Sequence, residues 1–211
     1  MVEEGSRVDL SVCDLSDACD ELGVAAVRTG VLRPLWTGCP AVRGSLRTVR
    51  LEQATGAGSP LAELLDLLAD SSGQVVAIDL LGRTDVQCWG TVLAAAARRF
   101  GVVGALVNGA ARDVDGLQAM GFPGYARGVF PAAIRGRLRV SAIDQPVDLD
   151  GQTIVTGSVA AVDTSGAVFL PAGEAPAVME LAGRRAEEER RLLRSLEAGA
   201  DPRAVFGAEE Q

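Results

Sequence analysis

The segment Asn108-Gly109-Ala110-Ala111-Arg112-Asp113-Val114-Asp115 sets a guanidinium directly beside a carboxylate, just after the apolar run Val102-Val103-Gly104-Ala105-Leu106-Val107. An apolar run that passes through Gly and Ala into Arg-Asp predicts a buried strand ending in a tight turn, with a helix starting at or just after the pair. Such a chain end offers a ligand unpaired backbone N–H groups for an anion and a guanidinium that grips a carboxylate in two places. It also offers a carboxylate that holds a hard cation.

What the chain lacks narrows the chemistry further. It has no histidine, and all 20 of its basic residues are arginine. The absence of imidazole removes Ser-His-Asp and Cys-His nucleophile pairs and every zinc site that uses histidine. The absence of lysine removes Schiff-base aldolases, pyridoxal phosphate enzymes and Walker-type phosphate loops. Charged chemistry is left to Arg, Asp, Glu, Tyr125, Cys, hydroxyls or a bound metal. Cys13, Cys19, Cys39 and Cys88 have no CxxC spacing and stand in apolar contexts, so each reads as a small buried thiol.

At 211 residues and 48% hydrophobic composition, the chain is long and apolar enough to bury a full core. It reads as one domain over residues 1–199 followed by a C-terminal tail, 200–211. A net charge of −8 argues against nucleic-acid and anionic-membrane partners, which need a clustered basic surface. No apolar run reaches the length of a membrane span, and Met1-Val2-Glu3-Glu4-Gly5 lacks the basic-then-apolar layout of a signal peptide, so the expected location is cytoplasmic.

The surrounding pattern predicts the elements that position the Arg-Asp pair. A short capped helix is expected from Asp14 to Leu22, ended by Gly23, and a half-buried strand from Gly44 to Leu51. A leucine-rich helix over Pro60–Ala69 and a β-branched buried strand over Gln74–Leu80 follow. Residues Asp85–Phe100 read as a helix with Val86, Trp89, Val92, Leu93, Ala96 and Phe100 on one face and small residues, Gly90, Ala94, Ala95 and Ala97, on the other. Strand, helix, strand and Arg-Asp turn make a βαβ-like core with a parallel pair. Beyond it, short strands at Tyr125–Gly128, Arg137–Val140, Thr153–Val155, Val159–Val162 and Ala167–Leu170 predict a β-rich half. A long helix from Ala175 to about Ala198 carries a solvated charge run with Glu180/Arg184 and Glu187/Arg191 pairs. Asp201–Gln211 reads as a loose tail.

Several of these segments together carry a family resemblance. Leu15-Ser16-Asp17-Ala18, Trp89-Gly90, Gly101 through Asp115, Gly121-Phe122-Pro123-Gly124-Tyr125-Ala126-Arg127-Gly128, and Thr156-Gly157-Ser158-Val159 through Asp163-Thr164-Ser165-Gly166-Ala167-Val168-Phe169-Leu170-Pro171 resemble the RraA-like family. Its members include metal-dependent 4-hydroxy-4-methyl-2-oxoglutarate/4-carboxy-4-hydroxy-2-oxoadipate aldolases and regulators of ribonuclease E. The resemblance implies an α/β fold of the β/β/α swivelling type with a long C-terminal helix. It also implies a homotrimer or homohexamer with active sites between subunits, and the small-residue face of the 85–100 helix would suit close packing there.

In the aldolases the active centre is an acidic residue, twenty intervening residues, then Arg-Asp. The resemblance therefore assigns Asp113 to Mg²⁺ or Mn²⁺ and Arg112 to a 2-oxo acid substrate. Gly90 and the backbone N–H groups near Val92 and Leu93 match the carboxylate-binding helix start. Counting back from Arg112 across twenty residues lands on Thr91, where the aldolases have an acid. A threonine hydroxyl can hydrogen-bond a metal-bound water, but it neither neutralises the ion nor acts as a base near pH 7. Asp115 and Asp85 are the nearby acids that would compensate. A neighbouring subunit's C-terminal helix implies a further metal contact from Glu187, Glu188 or Glu189, whose register is open, with Glu188 preferred.

These expectations point first to a divalent-metal-dependent lyase on 2-oxo acids, a pyruvate-releasing aldolase or an oxaloacetate-type decarboxylase, weakened or repurposed by Thr91. The alternatives are a non-catalytic RraA-type regulator that binds a ribonuclease and a family member recruited to specialised metabolism. The bland reading of Arg112-Asp113 is a structural ion pair at a helix start.

Overall fold

The computed structural model describes residues 10–56 and 58–207; the acidic opening Met1–Gly5 and the last four residues lie outside them. The chain begins with α1 (Val12–Leu22), β1 (Val27–Thr29), β2 (Arg33–Pro34), the long β3 (Val42–Gln53), α2 (Leu61–Ala69) and β4 (Val75–Asp79). The central block is β5 (Gln87–Trp89), α3 (Thr91–Arg99), β6 (Gly104–Ala111), α4 (Val114–Met120) and β7 (Gly124–Val129). It ends with β8 (Leu138–Ile143), β9 (Val147–Leu149), β10 (Gln152–Ile154), β11 (Val159–Asp163), β12 (Gly166–Leu170), α5 (Ala175–Glu197) and α6 (Pro202–Gly207).

Among the described residues, ten strands form one sheet in the order β1-β12-β11-β3-β4-β6-β7-β2, with β5 beside β6 and β8 beside β3, and β9-β10 form a separate hairpin. The middle four strands are parallel. Each parallel neighbour is reached through a helix, α2, α3 or α4, as a parallel crossover requires. β3 joins the two halves: Val42–Ser45 pair antiparallel with β11, and Leu46–Arg50 pair parallel with β4. One large apolar core lies around the parallel strands, and a second forms where α1 and α5 cover β11 and β12.

The parallel strands place one polar row at their carboxyl ends, where open α/β sheets usually carry ligand sites. Arg50, Asp79 and Asn108 are successive partners across β3, β4 and β6. Asp79 is fully buried and accepts hydrogen bonds from Arg50 Nε at 3.0 Å, Asn108 Nδ2 at 2.7 Å and the Leu81 N–H at 2.8 Å. Arg127 of β7 completes the row by donating to Asn108 Oδ1 and to Asp150. The chain turns behind β4 are therefore locked by charge-assisted bonds rather than by apolar packing alone.

Most expected elements form, and the departures have physical causes. Helix α1 begins at Val12, two residues ahead of the expected Asp14, because Ser11 and Asp14 make a reciprocal capping box; left-handed Gly23 ends the helix as anticipated. Cys13, in the first turn of that helix, is exposed, against the expectation of four buried thiols, whereas Cys19, Cys39 and Cys88 are buried.

The stretch 85–100 is not one helix. Gln87–Trp89 pair with Ala110 and Ala111 of β6 as a short strand, and only Thr91–Arg99 is helical. Val86 and Trp89 are buried through that strand, while Val92 is 72% exposed. The small-residue face is also reassigned: Ala94 and Ala97 are fully buried within the chain's own core. β6 runs on through Asn108-Gly109-Ala110 to Ala111, all buried, so the turn comes at Arg112 rather than at Asn108. Pro202–Gly207 form a short helix where a loose tail was expected. Tyr125 is fully buried and donates to the Pro40 carbonyl at 3.0 Å; burial pushes its hydroxyl far up, which removes it from the candidate chemistry.

Candidate active site

Arg112 and Asp113 stand where β6 ends, against the start of α3. Parallel pairing of β5 with β6 brings the two together, and the Arg112 N–H donates to the Trp89 carbonyl at 2.8 Å. Asp113 takes a left-handed backbone (φ 57°, ψ 39°), an uncommon conformation for a residue with a side chain and one that recurs at functional sites. Its Oδ2 accepts from the Thr91 N–H at 3.3 Å and lies 3.4 Å from Arg112 Nε. That Arg112 nitrogen is buried and has no hydrogen-bond partner among the described residues, so the contact is close but poorly directed.

Gly90 makes this approach possible. It is the residue before α3 and has no side chain to offer the helix, so the Asp113 carboxylate takes up the first α3 N–H instead. A Cβ on Gly90 would lie 2.7 Å from Asp113 Oδ2 and 3.2 Å from Arg112 Cγ. The next two helix-start groups, the N–H of Val92 and of Leu93, have no acceptor among the described residues, leaving a positive helix end open to an anion.

These features share one cleft of about 230 Å³, lined by Gly90, Val92, Leu93, Arg112 and Asp113 together with Ser59, Gln87, Cys88, Ile134 and Arg135. A second depression on the other side of the pair is lined by Val114, Val129, Phe130 and Pro131. The expected substrate-binding residues are therefore brought together. Thr91 is not aimed the same way: its Oγ1 lies 2.6 Å from where a Gly116 Cβ would stand, so the hydroxyl faces α4.

The compensating acids do not assemble. Asp85 pairs with Arg83 at 2.9 Å, and that guanidinium holds its carboxyl below the ordinary range. Asp115 is exposed in the first turn of α4 and lines neither depression. The metal contact expected of Glu187, Glu188 or Glu189 would come from a neighbouring copy; within the chain Glu188 pairs with Arg185 at 3.0 Å and Glu187 with Arg190 at 3.2 Å. Among the described residues, no group of three Asp, Glu or Cys side chains is placed to hold a metal. Asp113 alone still offers hard oxygen, which fits Mg²⁺ or Mn²⁺ in kind, as an ion that keeps most of its waters. Cys88 adds no ligand: burial, with the Asp79 charge behind it, pushes its thiol well up.

Ser59, Gln87 and Arg135 were not among the residues expected from sequence. For Arg135 the available signal was the run Val129–Arg139, which holds three arginines and no acid.

Comparison with known proteins bears on the same residues. A family model described as RraA-like, Aldolase/RraA, matches residues 12–169. The chain belongs to the RraA-like family. It is 30% identical over 178 residues to a protein of Halalkalibacterium halodurans provisionally named 4-hydroxy-4-methyl-2-oxoglutarate aldolase, covering 84% of this chain and 80% of that one. It is 26% identical over 167 residues to protein DlpA of Legionella pneumophila, covering 78% of this chain but only 26% of that longer protein. The crystal structure of RraAS2 from Streptomyces coelicolor, described as an unusual member of the RNase ES inhibitor RraA family, superposes with a TM-score of 0.75 at 25% identity. It covers 87% of this chain and 93% of that one. RraA-like proteins thus include both aldolase-named and ribonuclease-inhibitor members. No helix among the described residues is long and apolar enough to cross a membrane.

Proposed function

We propose that this RraA-like chain is a carbon–carbon lyase acting on small 2-oxo acids, with decarboxylation of an oxaloacetate-type acid favoured over retro-aldol cleavage. The observation that carries the reading is the convergence of Arg112, Asp113 and the open N–H groups of Val92 and Leu93 on one cleft. The N–H groups and the guanidinium bind the carboxylate and carbonyl oxygens of a 2-oxo acid, and they stabilise those oxygens as negative charge develops on bond cleavage. Asp113 would hold Mg²⁺ or Mn²⁺, which when bound supplies Lewis-acid stabilisation of the same charge.

The preference for decarboxylation follows from the missing base. Retro-aldol cleavage must remove a hydroxyl proton, and Thr91 has no basic group and faces α4. Asp113 is already engaged by the Thr91 N–H and the Arg112 guanidinium. Loss of CO₂ from a β-keto acid needs no base; the enolate left behind takes its proton from water.

The test is purified protein with Mg²⁺ or Mn²⁺ against a panel of 2-oxo acids, with Thr91→Asp alongside. Pyruvate release from oxaloacetate is expected of the parent; Thr91→Asp gains aldol cleavage only if its carboxylate turns from α4 into the cleft. No turnover of any acid by either protein would reject the lyase.

The turned-away Thr91 also favours a second reading, a non-catalytic regulator that binds a ribonuclease. Capture of a nuclease by the protein, with no 2-oxo acid turnover, would select it. Either reading accommodates a homotrimer or homohexamer: Val92, Val129 and Phe130 are exposed apolar side chains beside the site, and an intersubunit contact would cover them. Light scattering on the purified protein decides the assembly.

A further inference from the structure

The backbone at position 116 does not require a glycine. Gly116 stands within α4 and is not among the glycines with positive φ, and glycine is the poorest helix former after proline. What it supplies is space. A Cβ there would lie 2.6 Å from Thr91 Oγ1, 3.2 Å from Thr91 Cγ2 and 3.5 Å from Thr91 Cβ, so the three nearest atoms all belong to one side chain. Thr91 rests against the bare backbone of Gly116 with both of its branches toward α4.

That seat matters because of what position 91 adjoins. Thr91 is the first residue of α3, and its N–H is 3.3 Å from Asp113 Oδ2. A side chain at 91 that leaves α4 therefore starts beside the Asp113 carboxylate, at the cleft. The far ends of the two helices are tied by Arg98 Nη1, which donates to the Met120 carbonyl at 3.1 Å. A Cβ at 116 is then met by rotation of the side chain at 91 rather than by the helices parting.

We infer that Gly116 is a positioning residue that sets the direction of the side chain at 91, and so decides which reaction the cleft carries. The inference rests on the lyase reading and adds what confines it to decarboxylation. Retro-aldol cleavage needs a base that takes the hydroxyl proton as the carbon–carbon bond breaks. The bonding electron pair passes to the enolate, which is protonated in turn, so one 4-hydroxy-2-oxo acid gives two carbonyl products. Decarboxylation needs no such base. While the seat on α4 is open, repulsion by Asp113 sends even a carboxylate at 91 into it. A Cβ at 116 closes the seat and turns the side chain toward Asp113.

Four proteins test this: the parent, Thr91→Asp, Gly116→Ala, and the two substitutions combined. Mn²⁺ is titrated into each by calorimetry, since a second carboxylate beside Asp113 raises the affinity for the ion. The combined variant should bind Mn²⁺ about tenfold or more tightly than Gly116→Ala, whereas Thr91→Asp alone should stay within about threefold of the parent. A merely structural glycine produces no such non-additivity. Of the four proteins, only the combined variant should cleave 4-hydroxy-4-methyl-2-oxoglutarate to two pyruvates.

Thr91→Asp binding Mn²⁺ as tightly as the combined variant overturns the inference, as does a folded combined variant no tighter than Gly116→Ala. The expected Mn²⁺ pattern without cleavage by the combined variant overturns the claim that Gly116 decides the reaction. Should Gly116→Ala fold poorly, Gly116→Ala with Thr91→Ala is the control: it removes Oγ1 and Cγ2 and leaves an ordinary 3.5 Å contact, so its melting temperature should recover. No recovery means that Gly116 serves something other than residue 91, and overturns the inference. The Mn²⁺ readout does not depend on turnover. A parent that releases no pyruvate from oxaloacetate, with the Mn²⁺ pattern as expected, fails the lyase reading and keeps the placement of residue 91 by Gly116.

Discussion

Replacing Gly90 with alanine separates the site from the fold. Gly90 has φ −161° and ψ −173°, an extended conformation open to any residue, so the substitution carries no backbone strain. The added methyl would meet Asp113 Oδ2 at 2.7 Å and Arg112 Nε at 3.4 Å, against an ordinary contact of about 3.4 Å or more. The carboxylate must retreat by roughly 0.7 Å or more, and it can do so by rotating, which breaks its bond to the Thr91 N–H. Because the moving atoms are side-chain ends, the cost to stability is about 1 kcal/mol. The cost to function is larger, since displacing a reacting or binding group by about 1 Å removes up to ~100-fold in rate. Gly90→Ala should therefore melt within a few degrees of the parent yet lose ten- to hundredfold in kcat/KM for oxaloacetate. Calorimetric melting and a coupled pyruvate assay measure the two sides. Full activity in a folded Gly90→Ala protein would refute the placement of Asp113 and Arg112 as functional groups.

Other expectations follow from the same geometry. Asp79→Ala strands Arg50 and Asn108 without their buried acceptor and should cost about 3–5 kcal/mol, a fall in Tm on the order of 10 °C; a change under about 2 °C would contradict the role of the polar row. In alkali, Cys19, Cys39 and Cys88 have thiols pushed up by burial, so the folded state favours the protonated form. Their contribution is fully present below the ordinary cysteine value of about 8.5 and is lost as pH rises toward the raised folded values. Melting temperature should fall above about pH 8.5, and Cys88→Ala should flatten the decline. In the native protein, iodoacetamide should modify Cys13 first, since it alone of the four is exposed; mass spectrometry showing equal labelling would contradict the burial pattern.

The parallel core was legible because Val75–Ile78 and Ala105–Val107 are short apolar runs set between helices, and the Arg-Asp turn because a strand must end where charge begins. The start of α3 was harder to read. Val86, Trp89, Leu93 and Phe100 recur at helical spacing, and a three-residue strand such as β5 leaves no periodic signature; its identity comes from pairing with β6, a long-range contact. Arg112, Asp113, Val92 and Leu93 carried a motif, so the sequence pointed to them. Arg135 and Gln87 carried none, and only the fold brings them to the same cleft.

The central claim is that the Arg112–Asp113 cleft turns over 2-oxo acids, and the most direct measurement is Mg²⁺- or Mn²⁺-dependent pyruvate release from oxaloacetate, corrected for the spontaneous rate. Release by the parent is expected, and it should be lost on adding EDTA and in both Arg112→Ala and Asp113→Ala. Release that survives all three, or none from the parent, would contradict the claim.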